Sequence, residues 1–259
     1  MKMMTSITTH GLDQLPAPPI LGPRHLPLPH GRFVRIINDT LVDHKIAVKH
    51  QDIEVSHGGA RIFGTIRLLA PPEIRELSER LPSEIEPVLG FKNATDCTFG
   101  ARTALAARVF NCSNGMWIVE NGFEVSRKNT QNQESHLRGL MRDMVRQYWQ
   151  QFRAVLATQE AQVNTELTDR EAHHLICEGS RNGVTTHANS GHVLEAWHER
   201  PFDWGDKSVW RLHQCFTYVL DRKVKSPYVR AERNLKLNNL IAYHRPALAR
   251  RQIASVNNN

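Results

Sequence analysis

Apolar positions follow two regimes along this chain: short branched runs before about residue 130, and three- and four-residue spacing after it. The densest stretch is 86–118, EPVLGFKNATDCTFGARTALAARVFNCSNGMWI. Its first run, Val88, Leu89, Gly90 and Phe91, ends in Asn93 and Asp96, whose side chains bond nearby backbone and tolerate turn dihedrals. Its second, 105–112, ends in Asn114-Gly115, a strong hairpin signal, and Met116 to Val119 follow. Three strands are predicted, at least two of them antiparallel neighbours. Leu105, Ala107 and Val109 on one face and Ala106, Phe110 and Cys112 on the other make the middle strand apolar on both sides, with only Arg108 breaking the pattern. Such a strand is expected to be covered on both faces.

Residues 32–69 also read as β, with branched runs at 33–37, 46–48, 53–55 and 62–69 and a tight turn at His57-Gly58-Gly59, although 41–48 also fits a helix. Pro71-Pro72 opens a short helix over 73–81. The longest helical pattern, 133–166, brings Leu137, Leu140, Met141, Met144, Tyr148, Phe152, Val155 and Val163 to one side over about 50 Å. Thr168 and Glu171 form a capping box ahead of the next helix. Ser190 and Ser208 are candidate caps for two more, and Trp197, Trp204 and Trp210 are expected in the core between them. A last helix, 229–243, buries Leu237, Leu240 and Ile241.

The expected fold class is α+β: a small antiparallel β-sheet braced by a long helix, followed by a helical C-terminal part. The segments are a Pro-rich extended arm at 1–30, the sheet and long helix at 31–166, the helical part at 167–245 and a polar tail at 246–259. Six prolines in the arm leave two readings open, a loose terminus or a contact with a neighbouring subunit.

The motifs Val88-Leu89-Gly90-Phe91-Lys92-Asn93, Arg108 to Gly115 and Arg127-Lys128-Asn129-Thr130 carry a resemblance, joined by Leu167-Thr168-Asp169 with Ala172-His173 and by Trp210-Arg211-Leu212 with Phe216 to Val219. Together they resemble the phage and plasmid domain-of-unknown-function family numbered 932, across roughly residues 32–240. The resemblance implies a phage or mobile-element origin and no particular reaction. Members often carry His where Asn129 stands, and Ser-His-Asp or Ser-Tyr-Asp in place of Ala94-Thr95-Asp96. An activity resting on those side chains is not expected here.

Charge is more informative here than overall composition. The formal net charge is +7, yet residues 222–259 hold nine basic residues and one acid, so the remainder is nearly neutral. A basic end is an electrostatic handle for a polyanion. The expected contacts are Arg230, Arg233, Lys236, Arg250 and Arg251, with Tyr228 and Tyr243 available to stack bases. A ridge of Arg138, Arg142 and Arg146, spaced by four, is a secondary track; as a charged helix face it reads equally as solvated surface.

No phosphate-binding glycine loop, dinucleotide fingerprint, HExxH or nucleophile elbow occurs, so no catalytic residue is nominated. His173, His174 and Cys177 lie within one helical turn, but no paired ligand motif completes a zinc set, and no metal or cofactor is expected. No membrane span or signal peptide is read, so Cys97, Cys112, Cys177 and Cys215 are expected as free thiols in a host cytoplasm, and the triplets at Asn38, Asn93 and Asn111 are not glycosylation sites. The functional expectation is a phage-encoded, non-enzymatic nucleic-acid-binding protein, in its most concrete form one that binds or anneals single-stranded DNA as a homo-oligomer. The alternative is a host-interaction or anti-defence protein that acts by binding a host protein.

Overall fold

The structure is a computed structural model. It describes residues 5–16, 18, 20, 22, 26–82, 85–109, 124–127, 133–199, 201 and 203–256. In chain order the elements are β1 (Thr5–Ser6), α1 (Thr9–Leu12), α2 (His30–Asp43), β2 (Val48–Ser56), β3 (Arg61–Leu68), α3 (Pro72–Ser78), β4 (Ile85–Ala94), β5 (Ala101–Val109) and β6 (Glu124–Arg127). Five helices follow: α4 (Gln133–Val163), α5 (Asp169–Arg181), α6 (His187–Glu199), α7 (Val209–Lys223) and α8 (Pro227–Val256). The fold is α+β, with a helical C-terminal part. Two compact units form: the first from the chain up to Pro71, residues 87–106 and the stretch ending at Phe152, the second chiefly from Pro72–Glu86 and everything from Arg153 onward.

In the first unit the strands lie in the order β1-β2-β3-β4-β5-β6. The β1–β2, β2–β3, β3–β4 and β5–β6 pairs are antiparallel. Alternation sets the register: Ile62, Ile66 and Leu68 of β3 are buried, with Ile66 opposite Leu89 and Gly64 opposite Phe91 of β4. Gly64 has a packing reason, because the Phe91 ring lies where a side chain would go and the Asp52 carbonyl oxygen is 2.8 Å from that position. On α4, Leu137, Met141, Met144, Val145, Tyr148 and Phe152 are buried at helical spacing, and Thr103 Oγ1 donates to Met141 Sδ at 2.9 Å. This is the long helix bracing the sheet.

Two expectations are corrected in this unit. Residues 33–37 are not a strand but the start of α2, where Phe33, Val34, Ile36, Ile37 and Leu41 are all fully buried. Branched residues favour strands, but the polar positions Arg32, Arg35, Asn38 and Asp39 recur at helical spacing, and that periodicity wins over propensity. The described part of the 1–30 arm is not loose but packs on its own chain: β1 pairs with β2, Ile7 N donates to Ile53 O at 2.9 Å, and Leu12 and Leu28 are buried. Leu28 O accepts a 2.8 Å bond from the fully buried Asn93 Nδ2, whose other contact is His30 Nδ1 at 3.0 Å. That burial removes Asn93 as a glycan acceptor. The hairpin at Asn114-Gly115, the strand expected at 116–119 and Cys112 lie outside the described residues, as do the side chains of 105–109.

In the second unit Trp197 and Trp204 are buried as expected, in a core with Leu175, Ile176, Leu212, Phe216 and Leu237, and Trp210 is fully buried as well. Gly179 lets α5 approach α7, since a Cβ there would meet Phe216 Cζ at 2.7 Å. The guanidinium of Arg211 is buried, donating to the Trp197 carbonyl and lying 4.9 Å from the Trp197 ring centroid. The α5 capping box is formed as read, with Thr168 N donating to Glu171 Oε2 at 2.9 Å and Glu171 N to Thr168 Oγ1 at 3.3 Å. Thr168→Ala is therefore expected to cost about 1 kcal/mol, measured as a lower urea midpoint at unchanged slope. Ser208 caps α7, with Arg211 N donating to its Oγ at 3.3 Å. Ser190 does not cap α6, which starts a turn earlier: Asn189 N donates to Thr186 Oγ1 at 3.3 Å, and Ser190 lies inside the helix, its hydroxyl donating back to Thr186 O.

Candidate nucleic-acid interface

The basic C-terminal segment folds as one 30-residue helix, α8. Pro227 opens it, at the position where a missing N–H costs nothing, and Ser226 O accepts the first bond from Arg230 N at 3.0 Å. The helix does not stop near Tyr243 as expected. It continues through Pro246 to Val256, so the first part of the polar tail is helical. Pro246 lacks the N–H that would bond the carbonyl four residues back. Its own carbonyl accepts from Arg250 Nε at 3.2 Å. Asn234, Leu237, Leu240 and Ile241 form the buried face of α8.

Burial of that face decides which cations reach solvent. Lys236, Tyr243 and Arg250 follow one another by seven residues on the opposite side, nearly in line and about 10 Å apart along the axis. Tyr243 is 81% exposed, an unusual setting for a large aromatic side chain, with its ring edge-on to His244 at 5.1 Å between centroids. Lys236 Nζ bonds Glu232 Oε1 at 2.9 Å and holds that carboxyl below its usual range. An exposed pair of this kind contributes little to stability. Beside the line, α5 and α8 enclose an open groove of about 480 Å³ whose lining includes His174, Asn182, Lys236, Asn239, Tyr243 and His244.

The other nominated residues are placed elsewhere. Arg230 is half-buried and donates to Asp221 of α7, so its charge is met within the fold. Arg233 is half-buried at the edge of the buried face. The side chains of Tyr228 and Arg251 lie outside the described residues. On α4, Arg138 is engaged by Glu134 at 3.3 Å and by Asp39 at 3.8 Å, while Arg146 lies 4.0 Å from Asp143 and Arg142 is exposed. Glu134 is shared with Arg32 at 2.7 Å, and the two arginines hold its carboxyl below the usual range, Arg32 more strongly. The supposed ridge is thus part ion-pair network and part solvated surface.

Sequence reasoning counted Arg222, Lys223 and Lys225 in the basic segment without nominating them. They are exposed at the corner between α7 and α8, where Arg222 lies 4.2 Å from the Tyr218 ring centroid. Their density, three cations in four residues, was the available signal. Part of their role is structural, since cations at the end of α7 complement the helix dipole. Among the described residues no helix is long and apolar enough to cross a membrane. No protein-family model, curated protein or solved structure matches the chain. The likeness to the numbered family therefore rests on its motifs alone.

Proposed function

We propose that this is a phage-encoded, non-enzymatic protein of the host cytoplasm that binds single-stranded DNA through the exposed face of α8, as a homo-oligomer serving phage DNA metabolism. The observation that carries the reading is Tyr243, an almost fully exposed aromatic ring in line between Lys236 and Arg250. Cations that track a backbone and aromatic rings that stack on bases are the two components of sequence-tolerant single-strand binding. The exposed corner of Arg222, Lys223 and Lys225 extends the positive surface toward the start of the helix.

Neutralising Lys236→Gln with Arg250→Gln is expected to weaken binding of an oligothymidine about tenfold at 0.1 M salt. It is also expected to flatten the slope of log affinity against log salt by about 1.4, the share of two phosphate contacts. Tyr243→Ala is expected to cost about tenfold while leaving the salt slope alone. Equal binding by all three proteins removes α8 as the interface. An absence of binding by the parent removes the reading itself. The second reading, capture of a host protein, is favoured by Val42, Val48 and Leu69, apolar side chains left exposed in the first unit. A stoichiometric partner retained from nuclease-treated lysate, and lost on Val42→Asp, is its expected signature.

A further inference from the structure

Away from the α8 face, α5 and α6 meet at two exposed imidazoles. His173 Nε2 and His198 Nε2 are 3.1 Å apart, with ring centroids 5.4 Å apart and planes at 72°. Two nitrogens bound to one ion at about 2.0–2.1 Å stand about 2.9 Å apart at a right angle and about 3.4 Å apart at the tetrahedral angle. The observed separation falls between these values. We propose that His173 and His198 together bind one divalent transition-metal ion of the zinc, nickel or copper class through their Nε2 atoms.

The frame around the pair is fixed before any ion arrives. Asp169, in the first turn of α5, accepts from Trp197 Nε1 at 2.9 Å and from Lys207 Nζ at 2.7 Å, and Trp197 immediately precedes His198. The capping box holds the same turn of α5. The backbones carrying the two rings are therefore tied together, while the exposed rings, which meet end-on, must each swing about their side-chain bonds until both Nε2 lone pairs converge on the ion. Imidazole suits zinc, copper and nickel better than it suits magnesium or calcium. Among the described residues no third His, Cys, Asp or Glu joins the pair, so water would fill the remaining positions and the ion would stay exchangeable.

Proton bookkeeping is simple. In the ion-free pair one Nε2–H donates to the other ring's Nε2 lone pair. On binding, the donating ring moves that proton to its own Nδ1 by exchange with solvent, which both exposed rings allow, and each Nε2 then gives a lone pair to the ion. No net proton is released when both rings start neutral, and protonation of either ring competes with the metal.

The test is calorimetric titration of the full chain with zinc chloride at pH 7.5, together with thermal melts. The parent is expected to bind one ion and to melt at a higher temperature in its presence, because the ion clasps α5 to α6. His173→Gln and His198→Gln, both surface changes, are each expected to melt like the metal-free parent and to lose that ion and the temperature rise. His192→Gln, a control at another exposed histidine on α6, is expected to retain both. A parent that takes up no zinc overturns the proposal, as does undiminished one-to-one binding by either of the first two variants.

Discussion

Gly64→Ala is expected to destabilise the first unit by about 3 kcal/mol, the upper range for overpacking a core position. The β3–β4 register sets Gly64 opposite Phe91, whose ring fills the space above the glycine and whose Cε2 atom would lie 2.7 Å from an added Cβ. The Asp52 carbonyl on the other neighbouring strand would be 2.8 Å away, and backbone in the middle of a sheet cannot retreat as a flexible side chain can. The two obstacles separate experimentally. Phe91→Leu in the Gly64→Ala background should recover part of the loss, since the ring can be shortened, but not the part set by Asp52 O. A double-mutant cycle by urea unfolding measures the division. If Gly64→Ala unfolds within about 0.5 kcal/mol of the parent, the ring does not cover that glycine.

The same sheet shows what could be read from sequence and what could not. The alternation of Ile62, Ile66 and Leu68 against Thr65 and Arg67 is visible in one dimension, and β3 appears where it was expected. The start of α2 was misread because Phe33 to Ile37 satisfy both periods within a window too short to separate them. Only the recurrence of the polar residues beyond that window shows the helix. The four-residue β6 passed unrecognised: Glu124 to Arg127 hold a single branched residue, and their strand character comes from pairing with 101–104. Caps with a defined chemistry, Thr168 and Ser208, were legible to the residue. Thr186 was missed because Ser190, four residues on, offers the same chemistry and in fact bonds back to it.

The candidate interface was legible only as charge. Nine cations spread over residues 222–251 do not say which of them a helix will turn inward. Arg230 is drawn to Asp221 because the corner between α7 and α8 brings that carboxylate within reach, a pairing with no signal in local spacing, whereas the four-residue step from Glu134 to Arg138 on α4 is visible in the sequence. What the seven-residue steps from Lys236 to Tyr243 to Arg250 did contain was a shared face. It became readable once α8 was seen to run unbroken through Pro246. The partner of His173 was out of reach for the same reason: His198 lies 25 residues away on another helix.

Acid is expected to weaken the second unit through His213. This side chain is fully buried on α7, and its Nε2–H donates to Asn238 Oδ1 of α8 at 3.0 Å. Burial pushes its pKa down to about 4, with the Asn238 bond opposing the shift only in part. An unfolded imidazole titrates near 6.5. Between those values the unfolded chain takes up a proton that the folded one refuses. Stability is therefore complete above about pH 6.5 and falls as pH drops toward 4, by about 3 kcal/mol if the whole shift is expressed. The carboxyls held low by partners, among them Asp169 at about 2, lose their contribution only at lower pH, so the interval from 6.5 to about 4.5 belongs chiefly to buried histidines. His30 of the first unit is another, its pKa also lowered by burial. Of the five tryptophans, Trp197, Trp204 and Trp210 are buried in the second unit, so tryptophan fluorescence reports largely on the unit that holds His213. His213→Gln keeps a donor for Asn238 but cannot be protonated. It is expected to cost about 1 kcal/mol at pH 7.5 through imperfect packing and to remove most of the decline between pH 6.5 and 4.5 seen in urea titrations followed by that fluorescence. A variant whose stability falls with acid as steeply as the parent's would show that His213 is already accessible to protons in the folded protein.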